Sequence, residues 1–454
     1  MDLNFGKRLI AQHDFKDAET IFLQLLKKKE KSYEINYFLG KIYFELRKIE
    51  KSYFHYEECL KLQPNSIIIL LNLANLQQSS GNLEKAKEIY LKILNLNKNI
   101  IRAYYGLYTL NTNYLEDNYY ENIIEINKKL NINILEKCLS NFLLSKIEKR
   151  KKNYDLEIKY LEKAHQDCFK LGNVRNLQSQ YYYKNIISKY YNKIKFTNSY
   201  KKKNYFNKVS PIFIIGLPRS GSTLTETILT SGQTKVNSFG ESLFINMAVA
   251  GQLPKQIFSK NFYMENQLKI KSNEFEEFIY KKYKQYLSFN DKNLIFLDKS
   301  LENFLNIDFI LEIFPNAKFL HCKRNLKDSV IAIYLSLLPE LSWTHKIEDI
   351  LSYINNYIKI INFFKKKYPK KILDISLEKF TKKKEKISKK IFEFCNLKWD
   401  PKILEFYNRK DLDIRTTSNI QLRKKITQYD NYKYKKYYTL VEDFREKFSW
   451  LKDE

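Results

Sequence analysis

Val209-Ser210-Pro211-Ile212-Phe213-Ile214-Ile215-Gly216-Leu217-Pro218-Arg219-Ser220-Gly221-Ser222-Thr223-Leu224-Thr225-Glu226-Thr227-Ile228-Leu229 changes character twice within a short distance. Its first part, Val209–Ile215, is a β-branched and aromatic run that reads as a buried parallel strand. Its last part, from Leu224 to Leu229, reads as helix. Between them lies a loop bounded by Gly216 and Gly221. In a strand–loop–helix unit of this kind, backbone N–H groups at a helix N-terminus wrap an anion. The unit predicts an α/β domain with a central parallel sheet.

The loop spacing, Gly216-x-x-x-x-Gly221 followed by Ser222-Thr223, is that of the nucleotide P-loop with its lysine missing. A nucleoside-triphosphate enzyme needs that lysine on the phosphates and a magnesium ion beside it. Here Ser222 stands in the lysine position and the cation is Arg219, inside the loop. A guanidinium fork can grip a terminal phosphate–sulfate group bidentately. The spacing therefore argues against a kinase and for another anionic ligand.

Upstream, a period appears. Ala18, Ser52 and Ala86 recur every 34 residues, and four residues after each stand Phe22, Tyr56 and Tyr90. Short polar turns precede them, and Pro64 closes one unit. This resembles the tetratricopeptide repeat, two antiparallel helices per unit, in which small residues let helices approach and aromatics fill the groove. The pattern is strong over residues 1–100 and fades over 101–200, which reads as degenerate repeats and a connecting helix. Expected fold: an all-α helical-repeat solenoid, then the α/β P-loop domain. The expected divisions are 1–170 for the repeats, 171–208 for the connector and 209–454 for the catalytic domain. A chain beginning near Asn204 is expected to fold alone. Solenoids of this kind hold peptides or proteins on their concave face, so a partner there is an expectation, against a plain scaffold.

Composition narrows the class. Hydrophobic residues make up 44% and aromatics 15%, enough to build packed cores. Lys and Arg number 80 against 51 Asp and Glu, a net charge of +29. The basic residues run throughout rather than forming one stripe, which disfavours nucleic-acid binding and still favours anionic ligands. The five cysteines, Cys59, Cys138, Cys168, Cys322 and Cys395, are odd in number and widely spaced, suggesting neither a disulfide framework nor a metal site. The apolar stretch Ile67–Leu71 is far short of the roughly 20 residues that span a bilayer. The expectation is a reduced, cytoplasmic protein with no membrane association.

Pro218-Arg219-Ser220-Gly221-Ser222-Thr223-Leu224 resembles the 5′-phosphosulfate loop of P-loop sulfotransferases, in the branch with tyrosylprotein sulfotransferases and bacterial enzymes that carry repeats in front. The resemblance implies 3′-phosphoadenosine-5′-phosphosulfate as donor, no metal, and a hydroxyl acceptor. It assigns Pro218, Arg219, Ser220, Gly221, Ser222 and Thr223 to the donor's 5′ end. Phe314–Arg324 reads as a turn and a strand ending in a basic pair, and the family role of Arg324 is the 3′-phosphate. The family serine eight residues later is Ala332 here, with Ser329 one turn earlier as substitute. Gly240-Glu241 resembles the Gly-Glu whose glutamate is the catalytic base. Lys299, after Leu297-Asp298, matches a lysine that neutralises charge on the bridging oxygen. In the late stretch Thr416–Arg423 and Lys433-Tyr434, Ser418 is expected near the sulfuryl group and Arg423 and Lys433 at the 3′-phosphate, although Lys425 stands where the family often has proline. His321 and His345 are the next candidates for the base. The acceptor stays open between a protein tyrosine, a glycan hydroxyl and a small alcohol. The main rival is an inactive relative that keeps the fold and binds nucleotide or a repeat partner; a pure binding module would leave 209–440 without purpose.

Overall fold

The computed structural model describes residues 2–29, 31–115, 119–129, 131–192, 194–197, 206, 209–234, 236–252, 268–287, 294–409, 412–415 and 421–452. Ten helices open the chain: α1 (Leu3–Ala11), α2 (Phe15–Lys28), α3 (Tyr33–Glu45), α4 (Ile49–Leu62), α5 (Ile67–Ser80), α6 (Leu83–Leu96), α7 (Ile101–Leu110), α8 (Tyr119–Lys128), α9 (Ile134–Arg150) and α10 (Tyr154–Leu171). The 34-residue period has a direct cause in packing. Phe22, Tyr56 and Tyr90 are almost wholly buried, and Ala18, Ser52 and Ala86 are fully so. Tyr56 lies so close to Gly40 that a Cβ there would come within 2.5 Å of its ring. The Ser52 hydroxyl donates to the Gly40 carbonyl at 2.8 Å, locking the same crossing. Close approach of this kind brings dispersion contacts that a larger residue would forbid.

The fading of the pattern after residue 100 is a change of sequence more than of architecture. Tyr37, Leu71, Tyr105 and Leu139 are spaced by 34 and lie on α3, α5, α7 and α9. All four line one cavity of about 390 Å³, together with Asn72, Asn75 and Arg102.

Seven strands are described: β1 (Ile194–Thr197), β2 (Ile212–Gly216), β3 (Asn237–Ser238), β4 (Leu268–Lys271), β5 (Phe296–Asp298), β6 (Lys318–Lys323) and β7 (Ile372–Ser376). β1 and β4 pair with each other in parallel. The other five form a sheet in the order β3-β5-β2-β6-β7, and every pairing in it is parallel. Every residue of β2 is buried, as expected of a central strand covered on both faces. This matches the expected parallel sheet.

Contacts divide the chain into two compact units. One comprises Met1–Asp167 with Lys281–Leu287 and Asn408–Arg423; the other comprises Cys168–Tyr280, Ser288–Tyr407 and Lys424–Glu454. The sequence reading makes single cuts near 170 and 208, whereas here two later segments belong with the repeats. Their side chains give the reason. The nearly inaccessible Lys282 reaches Asp14 at 2.7 Å, and Gln285 Nε2 donates to the His13 carbonyl at 2.9 Å. Tyr286 packs on the cluster of Leu9, Phe22 and Leu39. The Arg415 guanidinium lies 3.9 Å from the Phe44 ring centre, and the Ile414 N–H donates to the Ser79 carbonyl at 3.0 Å.

Candidate active site

Three groups of residues lie at or beyond the C-terminal ends of β2, β5 and β6 in the second unit. The first is the loop after β2. Gly216 has φ 142°, and a Cβ there would stand 2.3 Å from the Cys322 carbonyl on β6. No side chain fits without parting the strands. The Ser220 hydroxyl donates to the Leu217 carbonyl at 2.6 Å and closes the loop on itself. Gly221, at φ 89°, caps the Ser222–Thr230 helix. Arg219 also takes a left-handed conformation, φ 64°, unusual for a residue with a Cβ and common where a loop is shaped for a ligand. Ser222 and Thr223 are buried in the helix's first turn, whose N–H groups have no partners within the helix. Pro218 and Arg219 form the turn itself. The loop thus brings the free N–H groups of a helix's first turn beside one guanidinium residue.

The second group surrounds Lys299, which directly follows β5. Its side chain is 1% exposed, and its ammonium sits 2.9 Å from Glu241 and 3.4 Å from Glu226 on the loop's helix. Burial works to lower its pKa, but the two carboxylates outweigh burial and hold the ammonium above its ordinary value. The lysine is thus a fixed cation. The backbone brings Glu241 to it: Phe239 N–H donates to Leu297 O at 2.9 Å and Lys299 N–H to Gly240 O at 2.8 Å. Asp298, fully buried, accepts from Ser300 N–H, Asn303 and the Ser242 hydroxyl, which stiffens both segments. Glu241 itself is 56% exposed on its side chain. Its Oε1 accepts from the Lys299 ammonium. Glu226, which sequence reasoning missed, sits one turn into the helix; its position after the loop was visible but its partner was not.

The third group centres on Tyr434. Arg324, 93% buried, follows β6 and places its guanidinium carbon 5.1 Å from the Tyr434 ring centre and 5.8 Å from that of Tyr429. Exposed Lys433 has its ammonium 5.4 Å from the Tyr434 ring. Burial works to raise the Tyr434 phenol, but Arg324, Lys433 and Arg219 together overcome burial and lower it. Arg324 and Lys433, two of the predicted ligand-binding cations, thus both lie against the Tyr434 ring. The Arg324 Nε is buried with no hydrogen-bond partner, a costly state unless an anion completes it.

Other predicted residues fall elsewhere. The Ser329 hydroxyl, 1% exposed, donates back to the Asn325 carbonyl at 2.9 Å within its own helix. Arg423, assigned by the resemblance to the 3′-phosphate, ends the segment Asn408–Arg423. It belongs to the repeat unit, where its guanidinium donates to the carbonyls of Ser79 at 2.9 Å and Leu412 at 3.1 Å. Ser418 lies outside the described residues. His321 is buried between Asp374, at 2.8 Å from its Nδ1, and the Tyr357 hydroxyl. Burial lowers its pKa and keeps the ring neutral. His345 is 4% exposed and lies edge-on to Phe169. Among the described residues no group of three His, Cys, Asp or Glu could hold a metal ion, and no helix is long and apolar enough to cross a membrane.

The sequence pattern of the sulfotransferase family matches residues 211–401, and that of the tetratricopeptide repeat matches 33–66 and 68–100. An uncharacterized protein of Aquifex aeolicus is 27% identical over 464 residues, covering 98% of this chain and 59% of that protein. The chain therefore spans about three-fifths of that relative's length. Among solved structures, a sulfotransferase of Mycobacterium tuberculosis superposes with a TM-score of 0.31 at 10% identity, covering 70% of this chain and 96% of its own. A sulfotransferase of Mycobacterium avium gives 0.30 at 10% identity, covering 53% and 77%. Residues 211–401 are a sulfotransferase-family domain, carried in one chain with tetratricopeptide repeats.

Proposed function

We propose that the chain transfers a sulfuryl group from 3′-phosphoadenosine-5′-phosphosulfate to a hydroxyl on a protein acceptor that the repeats engage. The observation that carries this reading is the inaccessible Lys299 held at 2.9 Å from the half-exposed Glu241. A cation and a base beside an anion loop are what sulfuryl transfer to an alcohol requires. The donor's 5′-phosphosulfate lies in the Gly216–Thr223 loop with Arg219 on its oxygens, and its 3′-phosphate meets Arg324 and Lys433. Glu241 takes the acceptor proton as the acceptor oxygen bonds to sulfur. The bond from sulfur to the bridging oxygen breaks, and Lys299 and Arg219 stabilise the charge left on the departing 5′-phosphate. Fixed charges of this kind need no reorganisation during the reaction.

The protein acceptor is favoured by the cavity on α3, α5, α7 and α9, whose Tyr and Leu side chains alternate with the amides of Asn72 and Asn75 and the guanidinium of Arg102. Such a surface suits an extended chain with apolar side chains and a carboxylate. The tyrosylprotein branch and a cytoplasmic setting belong to the same proposal. The test is transfer of labelled sulfate from the donor to proteins of a cell lysate by the full chain. A labelled protein band that disappears with Glu241→Gln is the expected result. Label confined to small molecules would remove the protein acceptor, and no donor turnover with any acceptor would leave the inactive reading.

A further inference from the structure

On that reading of the donor site, Arg324 must keep its charge available to a phosphate. Arg324 and Asp328 are one turn apart, and Arg324 Nη2 donates to the Asp328 main-chain carbonyl. A carboxylate that near a guanidinium ordinarily pairs with it bidentately. This one does not. Asp328 is 2% exposed, and its Oδ2 accepts from the Tyr429 hydroxyl at 2.6 Å and its Oδ1 from the Tyr438 hydroxyl at 2.8 Å. The guanidinium, in turn, keeps a buried Nε with no partner and lies among the rings of Tyr429 and Tyr434.

We propose that Tyr429 and Tyr438 are positioning residues that occupy the Asp328 carboxylate, so that Arg324 is withheld from an internal ion pair and stays free to bind a phosphate. Phenols are suited to this task. They satisfy a buried acceptor, which would otherwise be costly to bury, through neutral donors. Burial, with the hydrogen bond to Asp328, raises the Tyr429 phenol well above its ordinary value, against the opposing pull of Arg324. It remains a neutral donor. Both tyrosines come from the segment after residue 424, so the site's readiness depends on that segment being seated.

The test measures calorimetric affinity of the full chain for adenosine 3′,5′-bisphosphate and for adenosine 5′-monophosphate, which lacks the 3′ group. With both phenols removed (Tyr429→Phe with Tyr438→Phe), Asp328 is expected to turn onto Arg324. Bisphosphate affinity then falls about tenfold or more, as for loss of a charge-assisted contact, while monophosphate affinity holds within about threefold. Adding Asp328→Asn removes the competing charge and restores bisphosphate binding, an outcome that a merely structural role for the tyrosines does not produce. Should the double variant unfold, Tyr438→Phe alone, which frees one carboxylate oxygen, is expected to show the same selectivity at smaller amplitude. Unchanged bisphosphate affinity, equal loss for both nucleotides, or no rescue by Asp328→Asn would overturn the proposal. A wild-type chain that binds the two nucleotides equally would instead overturn the donor-site reading beneath it.

Discussion

Glu241→Gln separates chemistry from folding more cleanly than any other change at this site. Glu241 shares Lys299 with Glu226, and its side chain is 56% exposed where that of Glu226 is 14% exposed. Exposed ion pairs contribute about 0–1 kcal/mol. Lys299 keeps its second carboxylate at 3.4 Å, so its charge stays compensated when Glu241 becomes neutral. The fold should lose less than about 1 kcal/mol. Turnover should behave differently, because the amide cannot accept the acceptor's proton. General-base catalysis contributes roughly 10²–10⁴-fold, equivalent to about 2.7–5.4 kcal/mol of barrier. Lys299→Ala is the poorer probe: it leaves Glu226 without its cation, and breaking a buried pair costs about 3–5 kcal/mol, which would confound activity with unfolding. The assay is release of adenosine 3′,5′-bisphosphate at saturating donor, beside a thermal melt and a donor-affinity measurement on the same sample. The reasoning predicts a melt within a few degrees of wild type, unchanged donor affinity and a hundredfold or greater loss of turnover, on the magnitude above. Near-normal turnover would refute it, and so would a loss of turnover matched by a loss of folded protein.

Arg219→Ala removes the one side-chain cation of the Gly216–Thr223 loop, and donor affinity should fall tenfold or more, since charge-assisted bonds are worth about 1.5–3 kcal/mol; unchanged calorimetric binding would take the donor out of the loop. A chain starting at Cys168 keeps every donor-site residue but strips Lys281–Leu287 and Asn408–Arg423 of the helices they pack with. Exposing buried Leu412, Ile414 and Leu422 costs about 1.5–3 kcal/mol each, comparable with a whole domain's stability, so this chain should be insoluble or melt far below the full chain; a cooperative melt at the full-chain temperature would show those segments to be dispensable. For His321 the sign follows from its lowered pKa: the unfolded chain takes up the proton first, so stability is lost as pH falls below the ordinary imidazole value of 6.5. Nuclear magnetic resonance of the ring should show it titrating below 6.5, and protonation at 6.5 or above would contradict the burial argument.

The repeat architecture and the strand–loop–helix turn at Gly216–Thr223 were legible in the sequence because both are local. A 34-residue period fixes which faces pack through helix geometry alone, and Tyr37, Leu71, Tyr105 and Leu139 keep that phase even where the recognisable pattern has faded. Gly216 and Gly221 are readable for a similar reason: only glycine takes the backbone and the clearance that the turn from β2 into its helix demands. What the tertiary structure decided is pairing across distance. Glu226 meets Lys299, and Asp328 takes the phenols of Tyr429 and Tyr438, partners 101 and 110 residues away. Arg423 shows the limit most plainly. Its place in a motif says nothing of the Ser79 and Leu412 carbonyls to which its guanidinium donates. A side chain's type sets which partners can satisfy it, but only the chain's path through space sets which partner arrives.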